Sequence, residues 1–317
     1  MTGRATTGRA TGARAGWTGA MSVDVEEAFH ASALSTVAPR ASWDGMESRV
    51  AAVTGRILDM FARAGVRATF FTLGTVARAH PALIRRIVAE GHELASHGWD
   101  HFRVDEQSPV EFRTDIARAK AALEDAGGVE VRGFRAANFS LSDRTWWAYD
   151  ALAETGHGYS SSINPVRHDH YGQPDAPRTP FAPHPGMVEI PMTTLLAGGR
   201  RVPVSGGGWF RLLPYALSRA ALDRAARAGL RPVFYFHPWE IDTGQPRLGP
   251  PPKARFRHYV NLGRMEAKLA RLSAHASWGR IDEVHADTLA ARDLPSWRPG
   301  APPPSPPTDF RPQEAFR

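Results

Sequence analysis

Six polar residues that can perform acid–base or metal chemistry lie at the ends of short apolar runs. Each apolar run reads as a β-strand, and the polar residues are Asp24, Glu26, His97, His101, Arg135 and His237. In barrels of parallel strands, the carboxyl ends of the strands meet at one rim, and the active site lies there. The sequence therefore predicts that these six side chains converge on one site.

The two histidines of the segment SHGWDH, His97 and His101, are four residues apart. This spacing places both imidazoles on the same side of a helical turn or tight loop, an arrangement that binds divalent metals. An early carboxylate completes a set of two histidines and one carboxylate, which suits zinc or another first-row ion and leaves positions open for water and substrate. A second carboxylate would remain free to accept a proton from metal-bound water.

The composition limits which sites the chain can build. The 317 residues include no cysteine, so disulfides, zinc ribbons and thiol nucleophiles are excluded, and a metal must bind to His, Asp or Glu. The net charge of +7 favours anionic partners. The arginines are nevertheless spread along the predicted helices, which indicates a solvated surface more than a nucleic-acid-binding face.

Composition also divides the chain into three parts. Residues 1–16 are rich in Arg, Thr and Gly and contain no apolar run, so we predict a disordered leader and neither a signal peptide nor a membrane span. Residues 17–293 are predicted to form one catalytic domain, and the proline-rich residues 294–317 a disordered tail. No other stretch is apolar enough to cross a bilayer, so the sequence favours a soluble, cytoplasmic protein.

The middle part alternates short apolar runs with longer amphipathic ones, which is typical of β-α units. About seven units follow one another without a linker, so we predict an α/β fold with a mainly parallel sheet or barrel. Residues 254–275 are predicted as one helix, and residues 164–185, which lack periodicity, as a long surface loop.

The motifs resemble those of a known family. SVDVEE, ATFFTLG, GHELASHGWDH, GFRAANFS, SSSI and FYFHPWEID occur in this order and resemble the NodB-homology polysaccharide deacetylases, carbohydrate esterase family four. Other segments, such as INPVRHDHYGQPDAPR and KARFRHYVNL, resemble the subgroup associated with exosortase/PEP-CTERM exopolysaccharide gene clusters. The resemblance spans roughly residues 17–284 and implies a distorted (β/α)7 barrel.

The same resemblance implies an activity and roles for individual residues. The expected enzyme is a metal-dependent de-N-acetylase that releases acetate from N-acetylhexosamine units of an exopolysaccharide or its lipid-linked precursor. Asp24 matches the base, His97 and His101 match metal ligands, Arg135 matches the arginine that orients the base, and His237 matches the general acid. The expected metal is Zn²⁺, with Co²⁺ or Ni²⁺ as alternatives.

Two positions depart from the pattern of the family. Val25 stands where a second aspartate is usual, so we expect the carboxylate ligand to be Glu26, which strand alternation returns to the face of Asp24, with Glu27 as the fallback. Ala137 stands where a proline is usual, and the backbone N–H near Asn138 is expected to bind the oxyanion.

Three further residues are candidates for substrate contacts. Trp239 is expected to stack on a sugar ring, and His168 and Asp169 belong to the long loop. Two alternatives stay open: an allantoinase-like hydrolase of cyclic amides on the same fold, and a non-catalytic carbohydrate-binding relative whose metal site the departures have broken. A nucleic-acid binder is the weakest hypothesis.

Overall fold

A parallel sheet at the centre of the protein positions the predicted site. The computed structural model describes residues 14–168 and 171–301. The strands in these ranges are β1 (Thr18–Val25), β2 (Thr69–Thr72), β3 (Glu93–Ser96), β4 (Gly133–Phe134), β5 (Tyr159–Ser160), β6 (Phe181–His184), β7 (Met187–Glu189), β8 (Thr194–Ala197), β9 (Arg200–Pro203), β10 (Val233–Phe236) and β11 (Ser277–Gly279).

The main sheet has the order β10-β1-β2-β3-β4-β5-β7-β6, and β11 also pairs with β1. Its neighbouring strands run parallel except for β6 and β7, while β8 and β9 form a separate antiparallel hairpin. Thr193, which follows β7, bonds through its Oγ1 to the backbone N–H of Val233 in β10 at 2.7 Å. A side chain thus joins the two ends of the parallel run, and the sheet curves into the predicted distorted barrel.

Helices cover the outside of the sheet, as expected for β-α units. They are α1 (Val50–Ala64), α2 (Gly74–Ala79), α3 (Pro81–Ala89), α4 (Pro109–Gly127), α5 (Ala148–Glu154), α6 (Gly207–Leu212), α7 (Tyr215–Arg227), α8 (Pro252–Tyr259), α9 (Leu262–His275), α10 (Ile281–Val284) and α11 (Ala286–Ala290). No helix within the described ranges is both long and apolar enough to cross a membrane.

Side chains along strand β1 point alternately into the hydrophobic core and towards the site. Met21, Val23 and Val25 belong to the hydrophobic cluster beneath the helices, whereas Ser22 and Asp24 bond to Arg135 in the barrel interior. Val25 is fully buried in that cluster, so a carboxylate here would be an unpaired buried charge. The valine that departs from the family pattern is therefore required by the core.

Two predicted elements differ from the structure. The predicted helix 254–275 is divided into α8 and α9 at Asn261, whose φ of 53° is left-handed and interrupts the helical hydrogen bonds. The predicted loop 164–185 contains β6, which pairs with β7. Pro and His in β6 weaken the sequence signal for a strand, and its position at the sheet edge tolerates them.

The packed chain extends past the predicted domain boundary at residue 293. Trp297 is 1% exposed and packs edge-on against Trp146 and Phe181. Its backbone N–H donates to the carbonyl of Ala182 in β6, and Ser296 forms a bridge with the same residue. Burial of one large aromatic side chain fixes this proline-rich segment, so the prediction of a disordered tail is wrong for its first residues. Residues 1–13 and 302–317 lie outside the described ranges.

Candidate metal centre and catalytic residues

Three donor atoms converge at the carboxyl end of the barrel. Glu26, His97 and His101 each offer one ligand atom, and these atoms lie within 4.8 Å of one another. The Nε2 atoms of His101 and His97 lie 2.6 Å and 3.7 Å from Oε2 of Glu26. All three residues are at most 4% exposed. The cluster joins the two predicted histidines to the predicted carboxylate.

The two histidines are held on a tight loop after β3, one of the two arrangements that their spacing predicts. The Nδ1–H of His97 donates to the backbone carbonyl of Arg135 at 2.8 Å, and this bond directs Nε2 at the cluster. Gly98 and His101 have left-handed φ values of 80° and 56°, and these turn the loop back. The Nη2 of Arg40 donates to the carbonyl of His101 and fixes the returning loop.

The carboxylate of Glu26 has one oxygen held and one directed at the histidines. The indole Nε1–H of Trp239 donates to Oε1 at 3.1 Å. Oε2 is buried and accepts no hydrogen bond of normal geometry from the described residues. Burial alone would raise the pKa of Glu26, but the charges of His101 and His237 outweigh burial and hold the pKa well below its usual value.

The donor set fits a first-row divalent metal. An unsatisfied buried carboxylate oxygen and two imidazole nitrogens face a common point, and such an oxygen is costly to bury without a partner. A carboxylate with two histidines leaves coordination positions for water and substrate. We therefore treat Glu26, His97 and His101 as the residues that would hold the metal.

The neighbouring Glu27 has a different task. Its carboxylate accepts the backbone N–H groups of Arg49 and Val50 at 3.0 and 3.1 Å and the hydroxyl of Ser48 at 2.6 Å. These groups belong to the start of α1, whose first N–H groups have no partner within the helix. Glu27 caps α1 and faces away from the metal donors, so it does not serve as the fallback ligand.

Asp24 and Arg135 form a buried ion pair beside the three donors. Nη1 of Arg135 lies 2.7 Å from Oδ1 of Asp24 and also donates to Ser22. Nε and Nη2 donate to the carbonyl and hydroxyl of Ser161, and the guanidinium lies over the ring of Phe71. Arg135 is 0% exposed. This network holds one Asp24 oxygen and leaves Oδ2 facing His237.

His237 follows β10 and faces both carboxylates. Its Nε2 lies 3.8 Å from Oδ2 of Asp24 and 3.8 Å from Oε1 of Glu26, while its Nδ1 lies 3.3 Å from Oε2 of Glu240. Burial alone would lower the pKa of His237, but the Glu26 and Glu240 carboxylates raise it to about 9. In this environment His237 carries a proton at neutral pH.

A second buried ion pair supports His237. Nε of Arg211 donates to Oε1 of Glu240 at 2.9 Å, and both residues are at most 2% exposed. The guanidinium also donates to the carbonyls of His258 and Val260 at 2.7 and 2.9 Å. These contacts fix the carboxylate that positions the imidazole.

A cleft of 660 Å³ opens above the site, and its floor includes Asp24, Glu26 and His237. Asn138, whose backbone N–H is the predicted oxyanion donor, and His168, a predicted substrate contact, also line the cleft. Asn138 has a left-handed φ of 54°, which asparagine tolerates. The predicted contact residue Asp169 lies outside the described residues.

The turn before Asn138 is fixed by a hydrogen bond. Ala137, where the family has proline, forms a short 3-10 turn with Asn138 and Phe139. The backbone N–H of Ala136 donates to Ser162 Oγ at 2.9 Å. The turn therefore does not depend on a proline ring for its geometry.

Trp239 lies in the cleft wall, but its environment differs from the prediction. Its ring is stacked on the imidazoles of His237 and His258, with centroid separations of 5.1 and 4.5 Å. The ring is 8% exposed and lies among these imidazoles, so it offers little surface for stacking on a sugar. Trp239 instead orients Glu26 through its indole N–H.

The sequence analysis did not identify several residues that position the six predicted site residues. Ser22 lies two residues before Asp24 on the same face of β1, and strand alternation could have indicated it. Glu240 lies three residues after His237 and forms a short-range pair with it. Ser161 belongs to the motif SSSI, to which no role was assigned, and it contacts Arg135 from 26 positions away. Arg211 gives no local signal, because it contacts Glu240 from 29 positions away.

Two models of known families match parts of the chain. Residues 42–156 match the family model described as polysaccharide deacetylase, and residues 161–286 match a domain of unknown function, DUF3473. The first range contains His97, His101 and Arg135, and the second contains His237. Asp24 and Glu26 precede both ranges.

Curated relatives agree with the first match. The chain is 40% identical over 76 residues to the peptidoglycan-N-acetylglucosamine deacetylase PgdA of Listeria monocytogenes, covering 24% of this chain and 16% of that protein. It is 34% identical over 100 residues to a chitooligosaccharide deacetylase of a Bradyrhizobium species, covering 32% of this chain and 43% of the relative. Residues 42–156 are thus similar to polysaccharide deacetylases. The chain spans less than half the length of either relative.

The fold agrees as well. A solved structure from Mycobacterium smegmatis, described as a candidate polysaccharide deacetylase, superposes with a TM-score of 0.56 at 21% identity, covering 87% of this chain and 93% of that chain. This likeness confirms the predicted fold of the polysaccharide deacetylases, the distorted (β/α)7 barrel.

The two adjacent glutamates provide a matched test of the metal centre. We expect Glu26→Gln to lower zinc affinity by about 10-fold to 100-fold or more, because the charged ligand is lost. Glu27→Gln should keep zinc affinity and lower the melting temperature through weaker capping of α1. Zinc titration by calorimetry and thermal unfolding measure the two effects. Equal zinc affinity in wild type and Glu26→Gln would contradict the assignment.

Proposed function

We propose that the protein is a metal-dependent de-N-acetylase of N-acetylhexosamine units in a polysaccharide. One observation carries the proposal: the buried Asp24–Arg135 pair and His237 both lie beside the cluster of donors Glu26, His97 and His101. Relatives described as peptidoglycan-N-acetylglucosamine and chitooligosaccharide deacetylases support the same chemistry.

Hydrolysis of an unactivated amide needs an activated water, stabilisation of an anionic tetrahedral intermediate and a proton for the departing amine. A bound metal, which we propose to be Zn²⁺ with Co²⁺ or Ni²⁺ as alternatives, lowers the pKa of water and polarises the carbonyl. Glu26, His97 and His101 would hold it. The remaining requirements fall to side chains of the chain itself.

Asp24 is placed to accept the proton of the attacking water. Its Oδ1 is bound by Arg135 at 2.7 Å, and its Oδ2 faces the cleft near His237. The planar guanidinium with its fixed charge orients the carboxylate. Asp24 therefore serves as the general base, and Arg135 positions it.

His237 is placed to give a proton to the leaving amine. Its raised pKa keeps it protonated, and the bond between Nδ1 and Glu240 directs Nε2 towards the cleft floor. The backbone N–H near Asn138 is our candidate donor to the oxyanion, because this turn lines the cleft. His168, and Asp169 from the same segment, are proposed to contact substrate.

The substrate that we propose is an exopolysaccharide or its lipid-linked precursor, within the exosortase-associated subgroup of the family. The open cleft of 660 Å³ can accept part of a chain of sugars. We place residues 17–293, together with the packed segment up to Trp297, in one catalytic domain, and we expect it to act in the cytoplasm.

The base assignment is tested by Asp24→Asn. We expect this change to lower kcat for acetate release by about 10²-fold or more, because general-base catalysis is lost. Zinc affinity should stay near that of wild type. Acetate is measured after incubation of zinc-loaded protein with chitooligosaccharides and N-acetylated exopolysaccharides.

Two outcomes would contradict the proposal. Acetate release by Asp24→Asn at the wild-type rate would exclude Asp24 as the base. Absence of release by the metal-loaded wild type from every substrate class would contradict the deacetylase itself, and ring opening of cyclic ureides would then favour the allantoinase-like alternative.

The pH dependence tests the acid assignment. The protonated form of His237 is the active one, so kcat/KM should fall as the pH rises through the pKa of His237. Glu240→Gln removes one carboxylate that raises this pKa. In this variant we expect the alkaline limb of the pH profile of kcat/KM to move to lower pH by about one unit.

Asp242→Asn is the matched control, because Asp242 pairs with Arg49 and makes no described contact with His237. Its alkaline limb should coincide with that of wild type, measured as acetate release between neutral and alkaline pH. An unchanged limb in Glu240→Gln would exclude His237 as the titrating acid.

A further inference from the structure

Helices α6 and α8 expose large apolar side chains beside the cleft. Trp209 and Leu212 of α6 are 39% and 41% exposed, and Phe256 of α8 is 58% exposed. Trp209 and Leu212 are three residues apart and lie on the same face of α6. All three side chains line the same cleft and form its outer wall. We call this wall the α6–α8 surface.

Cations surround these apolar side chains. Lys253 and Arg257 of α8 are exposed and line the cleft with Phe256. Leu212 also borders a second groove of 470 Å³, whose lining includes Arg264 and Arg271, both exposed. The α6–α8 surface therefore alternates apolar and cationic side chains.

Acidic residues are missing from the segments that build this surface. The sequence contains no Asp or Glu between residues 190 and 222 or between residues 243 and 265, although acids make up 32 of the 317 residues. Among the described residues that line the cleft, the carboxylates are Asp24 and Glu26 on its floor. Among the described cleft residues the carboxylates therefore lie on the catalytic floor, and the charged side chains of the outer wall are cations.

The exposed apolar side chains stand on a rigid base. Arg211, between Trp209 and Leu212 in the sequence, is 2% exposed and donates to three backbone carbonyls at the end of α8, those of Arg257, His258 and Val260. Asn261 in turn donates to the carbonyl of Arg211. The two helices are joined by buried bonds, so the exposure of their apolar side chains does not result from loose packing.

We infer that the α6–α8 surface docks the protein on a bilayer that contains anionic phospholipid. Surfaces that combine Trp, Phe and Leu with Lys and Arg bind at the membrane interface through apolar burial and attraction to anionic headgroups. Docking would turn the cleft towards the bilayer, where, on the proposed function, it would receive a glycan carried on a lipid.

The test is sedimentation with sucrose-loaded vesicles of phosphatidylglycerol and phosphatidylcholine in equal parts. We expect the zinc-loaded wild type to bind these vesicles at about 0.1 M salt, to bind less at higher salt, and not to bind vesicles of phosphatidylcholine alone. Trp209→Ser combined with Phe256→Ser should weaken binding by about tenfold or more. Arg257→Gln combined with Arg264→Gln should have a similar effect and reduce the salt dependence.

Matched controls lie on other faces of the protein. Val110 of α4 is 71% exposed, and Arg63 and Arg85 are exposed on α1 and α3. Val110→Ser, and Arg63→Gln combined with Arg85→Gln, should bind vesicles like wild type. Circular dichroism of each variant verifies that the fold is kept.

Three results would overturn the inference: no vesicle binding by wild type, equal losses in controls and surface variants, or binding of soluble uronate-containing oligosaccharides to this surface without vesicle binding. Asp24→Asn separates docking from catalysis, because it should bind vesicles like wild type while it fails to release acetate. Failure of the proposed function would leave the vesicle result unchanged.

Discussion

The site depends on the buried guanidinium of Arg135. A buried cation without an anionic partner is strongly destabilising, and here Asp24 provides that partner at 2.7 Å. The same residue bonds to Ser22 of β1 and to Ser161 after β5, and its carbonyl accepts the Nδ1–H of His97 after β3. One arginine thus orients the proposed base Asp24 through its guanidinium and the proposed metal ligand His97 through its backbone carbonyl.

A second group of charged side chains surrounds His237 and holds it in place. Glu26 and Glu240 flank His237 and raise its pKa, while Arg211 balances the charge of Glu240. Trp239 lies between the two systems, donating to Glu26 and stacking on His237. Acid, base and metal donors are held by buried partners, which leaves the cleft wall free to vary in its chemistry.

The sequence predicted those parts of the site that follow from strand ends. Asp24 and His237 come directly from β1 and β10, and a parallel barrel brings such positions to one rim, so their meeting could be foreseen. Arg211 could not, because its contact with Glu240 arises from the packing of two distant helices. The break at Asn261 and the burial of Trp297 were missed for a similar reason: tertiary contacts fix both segments against their local propensity. The expected sugar-stacking role of Trp239 is disfavoured because its ring is 8% exposed and packs against two imidazoles.

The assignment of the metal ligands is tested most directly by anomalous diffraction at the zinc edge from crystals of the zinc-loaded protein. We expect one strong peak bounded by Glu26, His97 and His101, at about 2.0–2.2 Å from their donor atoms. Asp24 should remain bound to Arg135 and outside the coordination sphere. A peak at another cluster would contradict the assignment of Glu26 as the carboxylate ligand. A peak with Asp24 as a ligand, no longer bound to Arg135, would contradict the assignment of Asp24 as the base.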